Sequence, residues 1–129
     1  MNTTRAVAFI VIALIAAAGS AAAHHSWTAD YDAQKPVTVK GVVTKVEWTN
    51  PHTHFYIDSK DDSGAVTSWN FEMASTLALQ RSGWSRKTLQ VGDAVTISGF
   101  GGRAVTTRAV ASSIVTADGR EVFKGTPGQ

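Results

Sequence analysis

The stretch from Val37 to Trp48 constrains the fold more than any other. Val37-Thr38-Val39-Lys40-Gly41-Val42-Val43-Thr44-Lys45-Val46-Glu47-Trp48 reads as one long strand rich in β-branched residues. Val37 and Val39 share one face, whereas Val42, Val46 and Trp48 share the other parity, so the phase flips at Gly41. A glycine where a period-2 pattern slips marks a bulge or a sharp bend. A long first strand that bends to join two sheets is what a small closed barrel needs.

The chain after this strand fits the same plan. Asn50-Pro51 breaks the strand, because proline cannot extend a ladder. Phe55 and Ile57 then point to one face, and His52, His54, Tyr56 and Asp58 to the opposite one. Asp61-Asp62-Ser63-Gly64 is a turn cluster. Val66 to Met73 returns with Trp69, Phe71 and Met73 on one side and Ser68, Asn70 and Glu72 on the other. The hairpin therefore has an apolar face and a polar face, and the polar face gathers His54, Tyr56, Asn70 and Glu72. Ser75 to Ser82 reads as a short helix, with Ser75 as its cap, Leu77 and Leu79 as buried candidates and Gly83 just past its end. Trp84 and Leu89 pack back onto the barrel. Ala94 to Phe100 alternates with Val95 and Ile97 inward, and Gly99 to Gly102 reads as a loose corner. Arg108 to Thr116 is a further strand, and Asp118-Gly119 signals a hairpin before Glu121-Val122-Phe123. This order predicts a mainly β protein: a small five- to six-stranded barrel of the oligonucleotide/oligosaccharide-binding (OB) type, with one short helix between strands three and four. A meander sandwich is the alternative. The aromatic set Trp48, Phe55, Trp69, Phe71 and Trp84 has the parity of a core rather than of a groove.

Residues 1–23 read as a secretory signal. Arg5 opens it, Ala6 to Ala18 is an apolar run shorter than the roughly 20 residues a bilayer span needs, and Ala21-Ala22-Ala23 suits a cut before His24. An uncleaved anchor, or a cut one or two residues earlier, are the alternatives. The remaining chain divides into an arm over 24–36, the barrel domain over 37–124 and a tail over 125–129, with a periplasmic or secreted location. Loss of Arg5 leaves 11 Lys+Arg against 10 Asp+Glu, a net of +1. That balance, with export, sets nucleic acid aside as a partner. The chain has no cysteine, so no thiolate can ligate a metal and no disulfide supports the core.

The four histidines come as two pairs, His24-His25 and His52-Thr53-His54. A cut before His24 gives that residue a free α-amine beside its imidazole. One more imidazole, from His25, His52 or His54, completes three nitrogens in the T-shaped set that suits Cu(II). His52 and His54, two apart on a strand, share a face and can reach one ion. Glu72 can add an oxygen or orient an imidazole from behind. The bland readings are a polar terminus for the first pair, and for the second a corner residue, His52, with His54 half exposed against Tyr56. Glu47 and Glu72 show no spacing that makes them a glycosidase pair, and no phosphate loop, dinucleotide fingerprint or nucleophile elbow occurs.

Several segments together resemble a known family. They are His24-His25-Ser26-Trp27, Tyr31-Asp32 with Lys35-Pro36-Val37, and Gly41 through His52. Trp69-Asn70-Phe71-Glu72, Arg81-Ser82-Gly83-Trp84, Gly92-Asp93 and Asp118-Gly119-Arg120 follow. The chain resembles Domain of Unknown Function 6152, a family of small exported bacterial proteins. The resemblance implies export and a barrel-like domain, and no activity. His24, His25, Asn50, Pro51, His52, Glu72, Gly83 and Trp84 fit its motif. At His54 an apolar or aromatic residue would fit as well, which favours His52 as the ligand.

The function expected from the sequence is that of an exported ligand-binding barrel. The expected ligand is a transition-metal ion, copper in preference to zinc, and the site residues are His24, His25, His52, His54 and Glu72. No catalysis is expected. The runner-up is a structural or interaction module of the cell envelope that docks a protein or a glycan. A third reading, a copper-dependent oxidase or oxygenase, needs a substrate surface that the sequence does not display. The protein partner, if any, stays open, and no membrane span is expected after cleavage.

Overall fold

The computed structural model describes residues 26–125. Two short helices and six strands follow in the order α1 (Ser26–Asp30), β1 (Tyr31–Glu47), β2 (His54–Lys60), β3 (Val66–Glu72), α2 (Thr76–Arg81), β4 (Ala94–Gly102), β5 (Arg108–Thr116) and β6 (Glu121–Lys124). The strands pair in the order β3-β2-β1-β4-β5-β6, and a parallel contact between β3 and β5 closes the sheet. The closure is short: Asn70, Phe71 and Glu72 against Arg108, Ala109 and Val110. A closed sheet of this order, with a helix between the third and fourth strands, is the expected OB-type barrel.

β1 carries the architecture. Up to Val42 it pairs with β4, and from Val42 to Glu47 it pairs with β2, so one strand serves both halves. The change of partner comes next to Gly41, where a Cβ would meet the Asp58 carbonyl oxygen at 2.4 Å. The phase slip, however, lies farther on, between Val43 and Lys45, where the register with β2 shifts. Val39 and Val43 therefore face inward before the bulge and Trp48 after it, and Val42 points out. β1 also starts earlier than expected. Tyr31 opens it within the segment read as an arm, and a register shift between Tyr31 and Pro36 lets the proline sit in the ladder. The glycines Gly99 to Gly102 are a second departure. They are not a loose corner but the end of β4, paired with β5 and β1. At Gly99 a Cβ would lie 1.9 Å from the Val110 carbonyl oxygen. This glycine is there for close approach of two backbones.

Phe55, Ile57, Phe71, Ile97, Leu79, Leu89 and Ile114 fill the interior with Trp48 and Trp84. Full burial of each large aliphatic or aromatic side chain contributes about 1.5–3 kcal/mol relative to exposure. Trp84 buries its ring against Phe55 and Phe123 and donates its indole N–H to the Val122 carbonyl at 2.9 Å, so its polar atom is satisfied. Trp69 packs on the edge of this core, stacked on Phe71. Ser75 caps α2 as expected, accepting from the Ala78 amide. Leu79 is buried, but Leu77 is 53% exposed, because α2 is barely one turn and a half and turns only one side to the barrel. No helix among the described residues is long and apolar enough to cross a membrane.

Candidate functional site

The site forms where the Asn50-Pro51 corner joins β1 to β2. Asn50 fixes the corner by accepting from the amide and hydroxyl of Thr76 at the start of α2, and the Asn50–Pro51 peptide is cis. Beyond it, Thr53 is fully buried, and its backbone pairs with Met73 and Ala74, extending the hairpin ladder. Alternation then forces His52 and His54 outward together, as their spacing predicts.

Both imidazoles are held by chains of hydrogen bonds whose direction is fixed. Glu72, 7% exposed, ends the first chain. A carboxylate only accepts, and its two oxygens are shared out. Oε1 faces His52 Nδ1 at 2.5 Å, while Oε2 accepts from the Tyr31 hydroxyl at 2.6 Å and from Arg108 at 2.7 Å. Nδ1 of His52 must therefore carry its proton. Glu47 ends the second chain. It accepts from Lys45 and from the Tyr56 hydroxyl, the latter at 3.1 Å. Tyr56 oxygen in turn accepts from the Asn70 amide nitrogen at 3.4 Å, which turns the Asn70 carbonyl oxygen to His54 Nδ1 at 2.9 Å. Nδ1 of His54 is then also the donor. In the neutral form both rings consequently keep Nε2 as the lone-pair nitrogen, and neither Nε2 has a protein partner among the described residues.

Burial alone would raise the Glu72 carboxyl, but hydrogen bonds from Tyr31 and Arg108 and the charges of His52 and Arg108 outweigh it, so it sits below the usual carboxylate range. Burial, and then the bond to Glu72, push the Tyr31 hydroxyl up. The Lys45 bond, and then that from Tyr56, hold Glu47 down.

Asp30, Glu47, Asn50, His52, His54, Glu72 and Arg108 line an open cleft of ≈ 370 Å³. Of its three carboxylates, Glu72 is paired with Arg108 and Glu47 with Lys45, and Asp30 is the third. The segment read as an arm is anchored here. Arg103 donates its amide to the Asp30 carbonyl and its side chain to the Thr28 carbonyl, it pairs with Asp32 at 3.5 Å, and Trp27 lies on Phe100 with centroids 6.0 Å apart.

Of the site residues predicted from sequence, His52, His54 and Glu72 come together, and His24 and His25 lie outside the described residues. Both oxygens of Glu72 already have protein donors, which suits it to orient His52 rather than to bind an ion itself. Among the described residues, no three His, Cys, Asp or Glu side chains gather as a set able to hold a metal ion. Sequence reasoning missed Tyr31 and Arg108. Tyr31 read as an arm residue, and Arg108 meets Glu72 only through the parallel closure of β3 on β5, for which the sequence carries no signal.

The barrel and this cleft define a small OB-type protein with a polar site at one corner. The chain belongs to a family of unknown function, DUF6152, whose model matches residues 11–111. No curated protein sequence matches the chain. Among solved structures, it is similar to the mitochondrial single-stranded DNA binding protein Rim1 from S. cerevisiae. There the identity is 13% and the TM-score 0.49, over 70% of this chain and 96% of that one. It is also similar to the N-terminal domain of PriB from Thermoanaerobacter tencongensis, a dimer. In that case the identity is 20% and the TM-score 0.48, over 65% of this chain and 97% of that one. The first of these corrects one expectation. Net charge and export set nucleic acid aside as a partner, yet a similar barrel belongs to a single-stranded DNA binding protein. Barrels of this type hold single strands by local stacking and a local groove, so the net charge of a whole chain does not exclude such a partner.

Proposed function

We propose that the cleft binds a transition-metal ion, copper by preference, in a protein exported to the periplasm or beyond. In this reading His52 supplies Nε2 as a ligand, His54 stands beside it, and the amine and imidazole of His24 complete the set once the signal is removed. His25 and Glu72 are supports, Glu72 by orienting His52. One observation carries the reading: two hydrogen-bond chains, each ending on a carboxylate, hold both imidazoles by Nδ1 at the same cleft, and neither Nε2 has a partner among the described residues. Ligating histidines characteristically donate their other nitrogen to a carboxylate or a carbonyl group in this way. The reach is adequate. Asp30 lines the cleft, and Ser26–Asp30 is helical. His24 therefore lies at most roughly 13 Å of chain from Asp30. Three nitrogens including an amine suit Cu(II), whereas zinc prefers a tetrahedral set.

The test is a copper titration of the exported, processed chain, beside His24→Ala, His52→Ala and a form with one extra N-terminal glycine. Each change should weaken binding by about tenfold or more. Mass spectrometry of the same material should give His24 as the first residue. Equal copper affinity in all four proteins would overturn the proposal.

A further inference from the structure

Three strand edges of the barrel carry no partner strand among the described residues, and one of them borders a slot. β6 is four residues long with a charge at each end, and short charged edges resist further pairing. The first half of β3 is uncovered only as far as Asn70, where β5 joins it. The third edge is the first half of β1. From Pro36 to Gly41 this strand pairs with β4 alone, because its ladder with β2 begins at Val42. Beside it lies an open slot of ≈ 760 Å³, with Thr38, Val39, Lys40, Lys60 and Trp69 in its lining.

The slot lies where β1 and β2 part. Val42 is opposite Asp58, and two residues on the same register would set Lys40 opposite Lys60. Like charges directly opposite destabilise a strand pair, which accounts for the end of the ladder. Neither lysine has an ion pair or a side-chain hydrogen bond among the described residues. Asp58 is the one acid in the lining, and it accepts from the Ser68 hydroxyl at 2.6 Å. The backbone of the edge is unpaired as well. The Val43 amide donates to the Asp93 carbonyl at 2.9 Å, and the Val43 carbonyl accepts from the Gly92 amide at 2.8 Å, both at the start of β4. By alternation, Thr38 and Lys40 turn their N–H and C=O groups the other way, to the open side. Pro36 shares their parity, so its missing N–H falls on the side where no ladder runs.

We propose that this slot takes an extended peptide with acidic and apolar residues in alternation, laid along β1 as an added strand. Three features select that occupant. Unpaired N–H and C=O groups at ladder spacing match another peptide backbone, which a lipid, a glycan or a nucleic acid does not offer. By parity Lys40 and Lys60 stand on the outer face, where a carboxylate meets opposite charges in place of like ones. On the inner face, buried Val39 and Trp69, which stacks on Phe71, suit an apolar side chain. Strand alternation then puts acid and apolar residues next to each other in the peptide. The slot is distinct from the histidine cleft. At about 3.3 Å per residue, Lys60 lies roughly 20 Å along β2 from His54.

The probe is an end-blocked hexapeptide of alternating glutamate and valine, titrated into the mature protein and followed by amide chemical shifts. It should bind, with the Thr38 and Lys40 amides moving most, and the same peptide with lysine in place of glutamate should not. Thr38→Pro removes an outward N–H and Lys40→Glu reverses a charge. Each should weaken binding by about fivefold or more, with an unchanged circular dichroism spectrum. Val66→Pro, the corresponding change on the open edge of β3, should leave binding as in the wild type. No binding at millimolar peptide overturns the proposal, as does equal binding of the two peptides or full affinity in Thr38→Pro. Tighter binding of oligothymidylate, or of phosphatidylglycerol vesicles, than of the glutamate peptide also overturns it.

Discussion

Glu72 is the residue on which most of the polar chemistry converges. Three donors from three separate segments, Tyr31, His52 and Arg108, meet on one buried carboxylate. Loss of the charge leaves Arg108 and the Tyr31 hydroxyl with a weaker acceptor and His52 with no fixed tautomer. Glu72→Gln keeps the shape and isolates that effect. It should lower stability by about 3 kcal/mol, the low end for a broken buried pair, because Arg108 retains contact with water. Urea denaturation measures the loss. Nitrogen chemical shifts of His52 should change with it, whereas those of His54, held by the other chain through Asn70, should stay put. Unchanged His52 shifts would remove Glu72 from the orienting role. The partnership of His52 with Glu72 was legible in the sequence, because strand alternation puts both on the outer face of one hairpin. Tyr31 and Arg108 were not. They reach Glu72 across sequence separations of 41 and 36 residues, through a barrel closure that local pattern does not encode.

At the level of elements, alternation located the hairpin β2–β3, the strand β5 and the capped helix α2 from the chain alone, since each rests on local chemistry. Two of the failures share one cause. A glycine looks the same in sequence whether it supplies a positive φ in a turn or makes room for a neighbouring backbone. Gly99 to Gly102 read as a corner for that reason, and Gly41 drew the phase slip away from its true place between Val43 and Lys45. The two roles separate on substitution. At Gly99 an added Cβ meets a backbone oxygen of β5 at 1.9 Å, and that oxygen can move only if the ladder moves. At Gly101 the nearest atoms stand at 3.5 Å. Gly99→Ala should therefore cost at least about 1–3 kcal/mol, the usual range for overpacking. Gly101→Ala should stay within about 1 kcal/mol of wild type, helped by the smaller entropy of its unfolded chain. Thermal unfolding of the pair decides it, and equal midpoints would mean that β4 is not packed against β5 as tightly as the backbone indicates.

For the whole molecule, the closing seam between β3 and β5 is three residue pairs long, and the Glu72 cluster sits at its end. The stability of the closed barrel should accordingly follow the titration of that cluster. Glu72 is held below its ordinary value of 4.5, so its contribution is complete above that value and is lost as pH falls through the depressed folded value. Tyr31 is pushed above its ordinary value of 10.0 by burial and then by the bond to Glu72. Its contribution is complete below that value and is lost as pH rises through the raised one. Between these limits neither of these two groups changes its proton count on unfolding, so neither of them tilts the profile there. Glu47, Asp61 and Asp118 are also held low, but they are exposed, and water screens most of what they add. Denaturation midpoints across the acid range should therefore fall steeply in the wild type and less steeply in Glu72→Gln, which has no carboxylate left to protonate there. Tyr31→Phe should in the same way flatten the alkaline limb. Parallel acid limbs in wild type and Glu72→Gln would show that the seam does not depend on this carboxylate, and would move the cause of acid unfolding to the surface.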